Sequence, residues 1–62
     1  MKKRDLERKL KACGWWLDRH GSKHDIWTNG EMSNQVPRHP EVNELLAKSI
    51  IRDAEKNPRK RE

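Results

Sequence analysis

From Trp15 the chain reads Trp15-Trp16-Leu17-Asp18-Arg19-His20, then Gly21-Ser22-Lys23-His24, then Asp25-Ile26-Trp27-Thr28 and Asn29-Gly30. Large and β-branched residues at a spacing of two, interrupted by turn residues, are the pattern of short strands. In the first run alternation places Trp15, Leu17 and Arg19 on one face and Trp16, Asp18 and His20 on the other. Gly21-Ser22 supplies a turn. Asn29-Gly30 signals a hairpin, because both central residues of a type I′ turn need positive φ. A third strand is expected from Glu31 to Val36, polar enough to suit a sheet edge. Pro37 ends it by removing a ladder donor.

Outward from this core the period changes to that of helices. Leu6, Leu10 and Cys13 share one face of a helix over residues 5–13, with Asp5 as a partial N-cap and Gly14 in the C-cap position. After Pro37, the linker Arg38-His39-Pro40 delays the next helix, since Pro40 excludes helical geometry at His39. Val42, Leu45, Leu46, Ile50 and Ala54, widened by Ile51, form the apolar stripe of a helix from about Glu41–Asn43 to Lys56, and Pro58 stops it. The expected class is α+β, in the order α-β-β-β-α. Two helices cover one face of a three-stranded antiparallel sheet and leave the other face to solvent. A single domain over 1–57 and a disordered basic tail over 58–62 complete the expectation.

Sixty-two residues permit one small domain, and a chain of this size buries only about 60% of its unfolded surface. Charged residues make up 40% of the chain and hydrophobic residues 31%. That balance lies near the disordered range, so the three Trp must supply much of the core. No apolar run reaches the roughly 20 residues of a membrane span. Charge recurs within Met1-Lys2-Lys3-Arg4-Asp5, leaving no signal-peptide core. Cys13 is the single cysteine, which excludes an internal disulfide and a multi-cysteine zinc site. A reduced, cytoplasmic protein is expected, with no membrane partner. The net charge of +5 favours polyanions, either nucleic acid or an acidic protein.

Three histidines, His20, His24 and His39, are the candidates for acid–base work near neutral pH. His24 opens the second strand beside a glycine-containing turn and next to Lys23. It reads either as a solvated turn histidine or as a proton-transfer group at a phosphate held by Lys23 or Arg38. His20 and His24 are four apart in strand–turn geometry with no third ligand near, so no metal site is expected. Asp18 and Asp25 read as strand-end solubilisers. Cys13 reads as a small buried hydrophobe at a helix end. Trp15 and Trp16 point to opposite faces of the strand, so one of them is expected outside the core, to stack on a base or anchor a protein interface.

Together, Gly14-Trp15, Gly21-Ser22-Lys23-His24-Asp25-Ile26-Trp27, Val36-Pro37-Arg38-His39 and Ser49-Ile50-Ile51-Arg52-Asp53 resemble the HicA family of small bacterial toxins. The resemblance covers about residues 4–54. It implies a double-stranded-RNA-binding-like fold and an mRNA interferase of a type II toxin–antitoxin pair, inhibited by a HicB-type antitoxin. The family's active-site histidine falls on His24. On this reading the chain is a translation-independent endoribonuclease without metal or other cofactor. His24 acts as acid or base, and Lys23, Arg38 and Ser22 contact RNA. A non-catalytic RNA-binding module, with His24 as a contact residue, is the alternative, and a protein-only interaction surface is a third.

Overall fold

Gly14 terminates the first helix as its position predicts. A computed structural model of the chain, describing residues 1–59, places α1 at Lys3–Ala12. Gly14 follows at φ +87. Its amide donates to the Lys11 carbonyl (2.9 Å), and the Trp15 amide donates to that of Leu10 (3.0 Å). These paired bonds satisfy carbonyls that the helix end would otherwise orphan. They also deliver the Trp15 side chain into the core beside Leu10, both being fully buried.

The start of α1 differs from expectation. Asp5 lies within the first turn and the N-cap is Lys2, which offers no side-chain cap. The orphan amide of Lys3 is instead satisfied by the Pro40 carbonyl at 2.9 Å, and the Val42 amide reaches the Met1 carbonyl at 2.8 Å. Pairing with the linker replaces the cap. At α2, Glu44–Lys56, the cap is present: Asn43 Oδ1 accepts from the amides of Leu45 (2.9 Å) and Leu46 (3.3 Å).

Between the helices run β1 (Trp16–His20), β2 (His24–Thr28) and β3 (Ser33–Pro37). They form an antiparallel sheet in the order β1-β2-β3, so β3 lies at an edge as its polarity suggests. The fold is α+β in the order read from the sequence. Both helices cover one sheet face. Leu6 and Leu10 of α1 and Ala47, Ile50 and Ala54 of α2 meet Trp27 of β2 and Val36 of β3 in one buried cluster. Fully burying side chains such as these stabilises by roughly 1.5–3 kcal/mol each. Leu45 and Leu46, expected in the stripe, are exposed. Ala47, Ile50 and Ala54 form the buried face of α2, with Ala47 in the inward position of the first turns.

The β2–β3 connection is not a type I′ turn. Among the described residues only glycines have positive φ, so Gly30 (φ +101) takes that conformation and Asn29 does not. Asn29 instead closes a longer loop with its side chain. Its Oδ1 accepts from the amides of Glu31 and Met32, both at 2.9 Å. Its Nδ2 donates to the Asn57 carbonyl at 2.8 Å. The same carbonyl accepts from Trp15 Nε1 at 2.8 Å. The chain then continues past Pro58, and the Arg59 amide donates to the Cys13 carbonyl at 3.1 Å. Thus positions 58 and 59 of the expected tail lie against the end of α1, and positions 60–62 lie outside the described residues.

A side chain at Gly14 meets two obstacles. Its φ is in the left-handed region, and a Cβ there would fall 2.6 Å from the Arg59 Cβ. Gly14→Ala is expected to cost about 1–2 kcal/mol of stability, measured by urea unfolding. An unchanged midpoint would show that the cap tolerates substitution.

Candidate functional site

A three-residue connection, Gly21-Ser22-Lys23, joins β1 to β2, closed by the Gly21 amide donating to the His24 carbonyl at 2.7 Å. Gly21 is needed for this approach, since a Cβ would lie 2.9 Å from that carbonyl oxygen. The turn leaves Ser22 and Lys23 exposed and starts β2 at His24.

Alternation along β2 then sorts its residues. Asp25 and Trp27 face the helices and are buried, whereas His24, Ile26 and Thr28 face the open side and are partly exposed. The His24 imidazole makes no hydrogen bond or ion pair among the described residues, so both ring nitrogens remain available. Pro37 is its cross-strand partner on β3.

β1 departs from simple alternation. Trp16 pairs with Thr28 and Leu17 with Trp27, but Arg19 pairs with Ile26 and His20 with Asp25, leaving Asp18 as a bulge. One extra residue reverses the facing of everything after it. Arg19 therefore joins Trp16 on the open side, and His20 turns to the side of Asp25. The sequence reading had placed these pairs the other way.

Asp25 is the residue that the sequence reading misjudged most. It is no solubiliser: its side chain is 3% exposed, and the Lys3 ammonium, the Arg38 guanidinium and the His20 imidazole converge on it. Lys3 Nζ of α1 lies 2.7 Å from Oδ2. His20 Nδ1 of β1 and Arg38 Nε, just past β3, lie 2.7 and 2.9 Å from Oδ1. The Lys3 hydrogen bond holds the carboxyl well below the usual carboxylate range, with burial opposing and His20 and Arg38 adding to the effect. The ionised carboxylate accepts from His20 Nδ1–H, which directs the exposed Nε2 outward. Arg38 also donates through Nη2 to the Gly21 carbonyl. One guanidinium thus ties the end of β3 to the turn that precedes His24.

Of the sequence-predicted site residues, Ser22, Lys23 and His24 are neighbours on the β1–β2 turn, and Arg38 braces that turn from the other side. His39 is exposed in the linker. Cys13 is partly buried against the core. No group of three or more His, Cys, Asp or Glu side chains among the described residues is placed to hold a metal ion.

The family model for the HicA toxin of bacterial toxin–antitoxin systems matches residues 4–55. The chain belongs to the HicA toxin family. It is therefore the toxin component of a toxin–antitoxin system, and its HicA membership implies an antitoxin partner. No curated protein and no solved structure gives a significant match to this HicA chain. No helix among the described residues is long and apolar enough to cross a membrane.

The clue to Asp25 was its spacing. Two residues before a core tryptophan on a strand, it had to share the buried face, and a carboxylate there requires cations. Because its folded pKa lies below the ordinary 3.8, Asp25 contributes stability that is present above about pH 4. That contribution is lost as pH falls further. Asp25→Asn is expected to cost about 2 kcal/mol at pH 7 and to flatten the loss of stability between neutral and acid pH. Urea unfolding of both proteins across that range measures it; parallel pH profiles would refute the hub.

Proposed function

We propose that this HicA toxin is a translation-independent endoribonuclease that cleaves mRNA, with His24 as its acid–base group. The observation that supports this reading is the His24 imidazole itself. It is unpartnered, partly exposed on an otherwise open sheet face, and follows a turn that carries Lys23 and Ser22.

RNA supplies its own nucleophile. The ribose 2′-oxygen attacks the adjacent phosphorus, the bond to the 5′-oxygen breaks, and a 2′,3′-cyclic phosphate forms. One proton leaves the 2′-hydroxyl and one arrives at the departing 5′-oxygen. His24 takes the first or gives the second, a contribution of typically 10²–10⁴-fold. Lys23, the Ser22 hydroxyl and the N–H groups of Arg38 not engaged by Asp25 or Gly21 bind the non-bridging oxygens, where charge develops. Arg38 and Asp25 hold the turn so that His24 is presented in one place. The reaction as written uses no metal or cofactor.

The antitoxin partner is of the HicB type and acts in the cytoplasm by covering the His24 face. Charge complementarity to the +5 toxin makes its association fast and salt-sensitive.

His24→Ala is expected to abolish growth arrest and total-RNA decay after induction, with an unchanged circular dichroism spectrum, since the side chain makes no internal bond. RNA decay at the parental rate in the folded variant would remove His24 from catalysis; undiminished RNA binding without cleavage by the wild type would favour the non-catalytic module. Cleavage is expected to persist in EDTA and to leave a 5′-hydroxyl opposite a 2′,3′-cyclic or 3′-phosphate. End-labelling of the products checks this, and 5′-phosphate ends or rescue by Mg²⁺ would contradict it.

A further inference from the structure

Trp16 stands apart from the other two tryptophans. Trp15 and Trp27 are each 2% exposed and belong to the core, whereas Trp16 is 39% exposed. The register fixes where it sits. Trp16 pairs with Thr28, which shares its face of β2 with Ile26 and His24, and Arg19 is paired with Ile26. The open face therefore carries, in order from one end of β2 to the other, His24, the Arg19–Ile26 pair and the Trp16–Thr28 pair. The bulge at Asp18 is what brings Arg19 into this row. The Trp16 indole extends beyond Thr28, its Cη2 lying 3.4 Å from where a Cβ on Gly30 would be. The Arg59 guanidinium lies 5.0 Å from the indole centroid, close enough for a cation–π contact.

We propose that this row is the track along which the HicA toxin holds single-stranded RNA. The proposal rests on the ribonuclease reading and extends it from the reacting phosphate to the rest of the substrate. From His24 to Thr28 the strand covers about 13 Å, so a strand with its scissile phosphate at His24 passes Arg19 and reaches Trp16 a few nucleotides away. Arg19 meets a phosphate, and Trp16, backed by Arg59, stacks a base. Stacking on an indole accepts any base, so the track gives affinity without a strong sequence preference. An exposed tryptophan on a flat, solvent-facing sheet also suits a single strand better than a duplex, whose bases are stacked on each other.

The test uses the full-length His24→Ala protein, which binds without cutting, and fluorescein-labelled single-stranded RNA of random sequence. Anisotropy titrations at several salt concentrations give affinity and its salt slope. Adding Trp16→Ala is expected to weaken binding about tenfold, with Trp16→Phe recovering most of it. Arg19→Gln is expected to lower the salt slope by about 0.7. RNA should quench tryptophan emission in the parent and fail to do so with Trp16→Phe, because the remaining tryptophans are buried. Should Trp16→Ala prove unfolded, the Phe and Arg19→Gln variants carry the test. RNA binding unchanged in the folded variants, while wild-type toxin still cleaves, would overturn the track and leave the ribonuclease reading standing. Loss of antitoxin binding alone would assign the surface to the antitoxin and also overturn it. A wild type that neither binds nor cleaves RNA would remove both.

Discussion

One buried carboxylate organises this molecule. Asp25 joins four segments of the chain: α1 through Lys3, the end of β1 through His20, the segment after β3 through Arg38, and its own strand β2. Placing a charge in so small a core would be unfavourable if it were alone. Three donors on two carboxylate oxygens, two of them cationic, turn it into a fixed point, with charge-assisted bonds stronger than neutral ones. The partners differ in exposure, with His20 at 68% and Lys3 at 22%. Much of each exposed cation's attraction is therefore shared with water. What the arrangement secures is geometry, because a carboxylate bonded to three elements permits few relative placements of them.

That geometry serves the neighbouring residue. His24 follows a turn pinned at the Gly21 amide by its own carbonyl and at the Gly21 carbonyl by Arg38. Its side chain, like those of Ser22 and Lys23, has no partner among the described residues. Alternation along β2 thus assigns adjacent residues opposite duties: Asp25 inward to fix the frame, His24 outward to meet what arrives. A single-residue slip of the strand would exchange them, and the buried Trp27 and Val36 oppose that slip.

Much of this was legible in the chain. Gly14, Pro37 and Pro58 marked element ends because each acts through its own backbone chemistry, which is local. The Gly21–Ser22–Lys23–His24 turn, and with it the candidate site, was legible for the same reason. Features set by distant partners were not. The bulge at Asp18 has no glycine to announce it and follows from the need to pair Leu17 with Trp27 and His20 with Asp25 together. The start of α1 depends on Pro40, more than thirty residues on. The outward turn of Leu45 and Leu46 breaks a stripe that the spacing alone had seemed to settle. Lys3 gave no local sign that it would reach Asp25.

The contact of Trp15 with Asn57 bears on how such a protein is made. The indole N–H finds its acceptor 42 residues later, and the same carbonyl also anchors the β2–β3 loop through Asn29. While the ribosome is still adding the last turns of α2, neither bond exists, and the helix face of the sheet lacks half of its cover. Contacts of such long sequence separation form late, so the helix face of the sheet closes only once α2 and Asn57 have docked on Trp15 and Asn29.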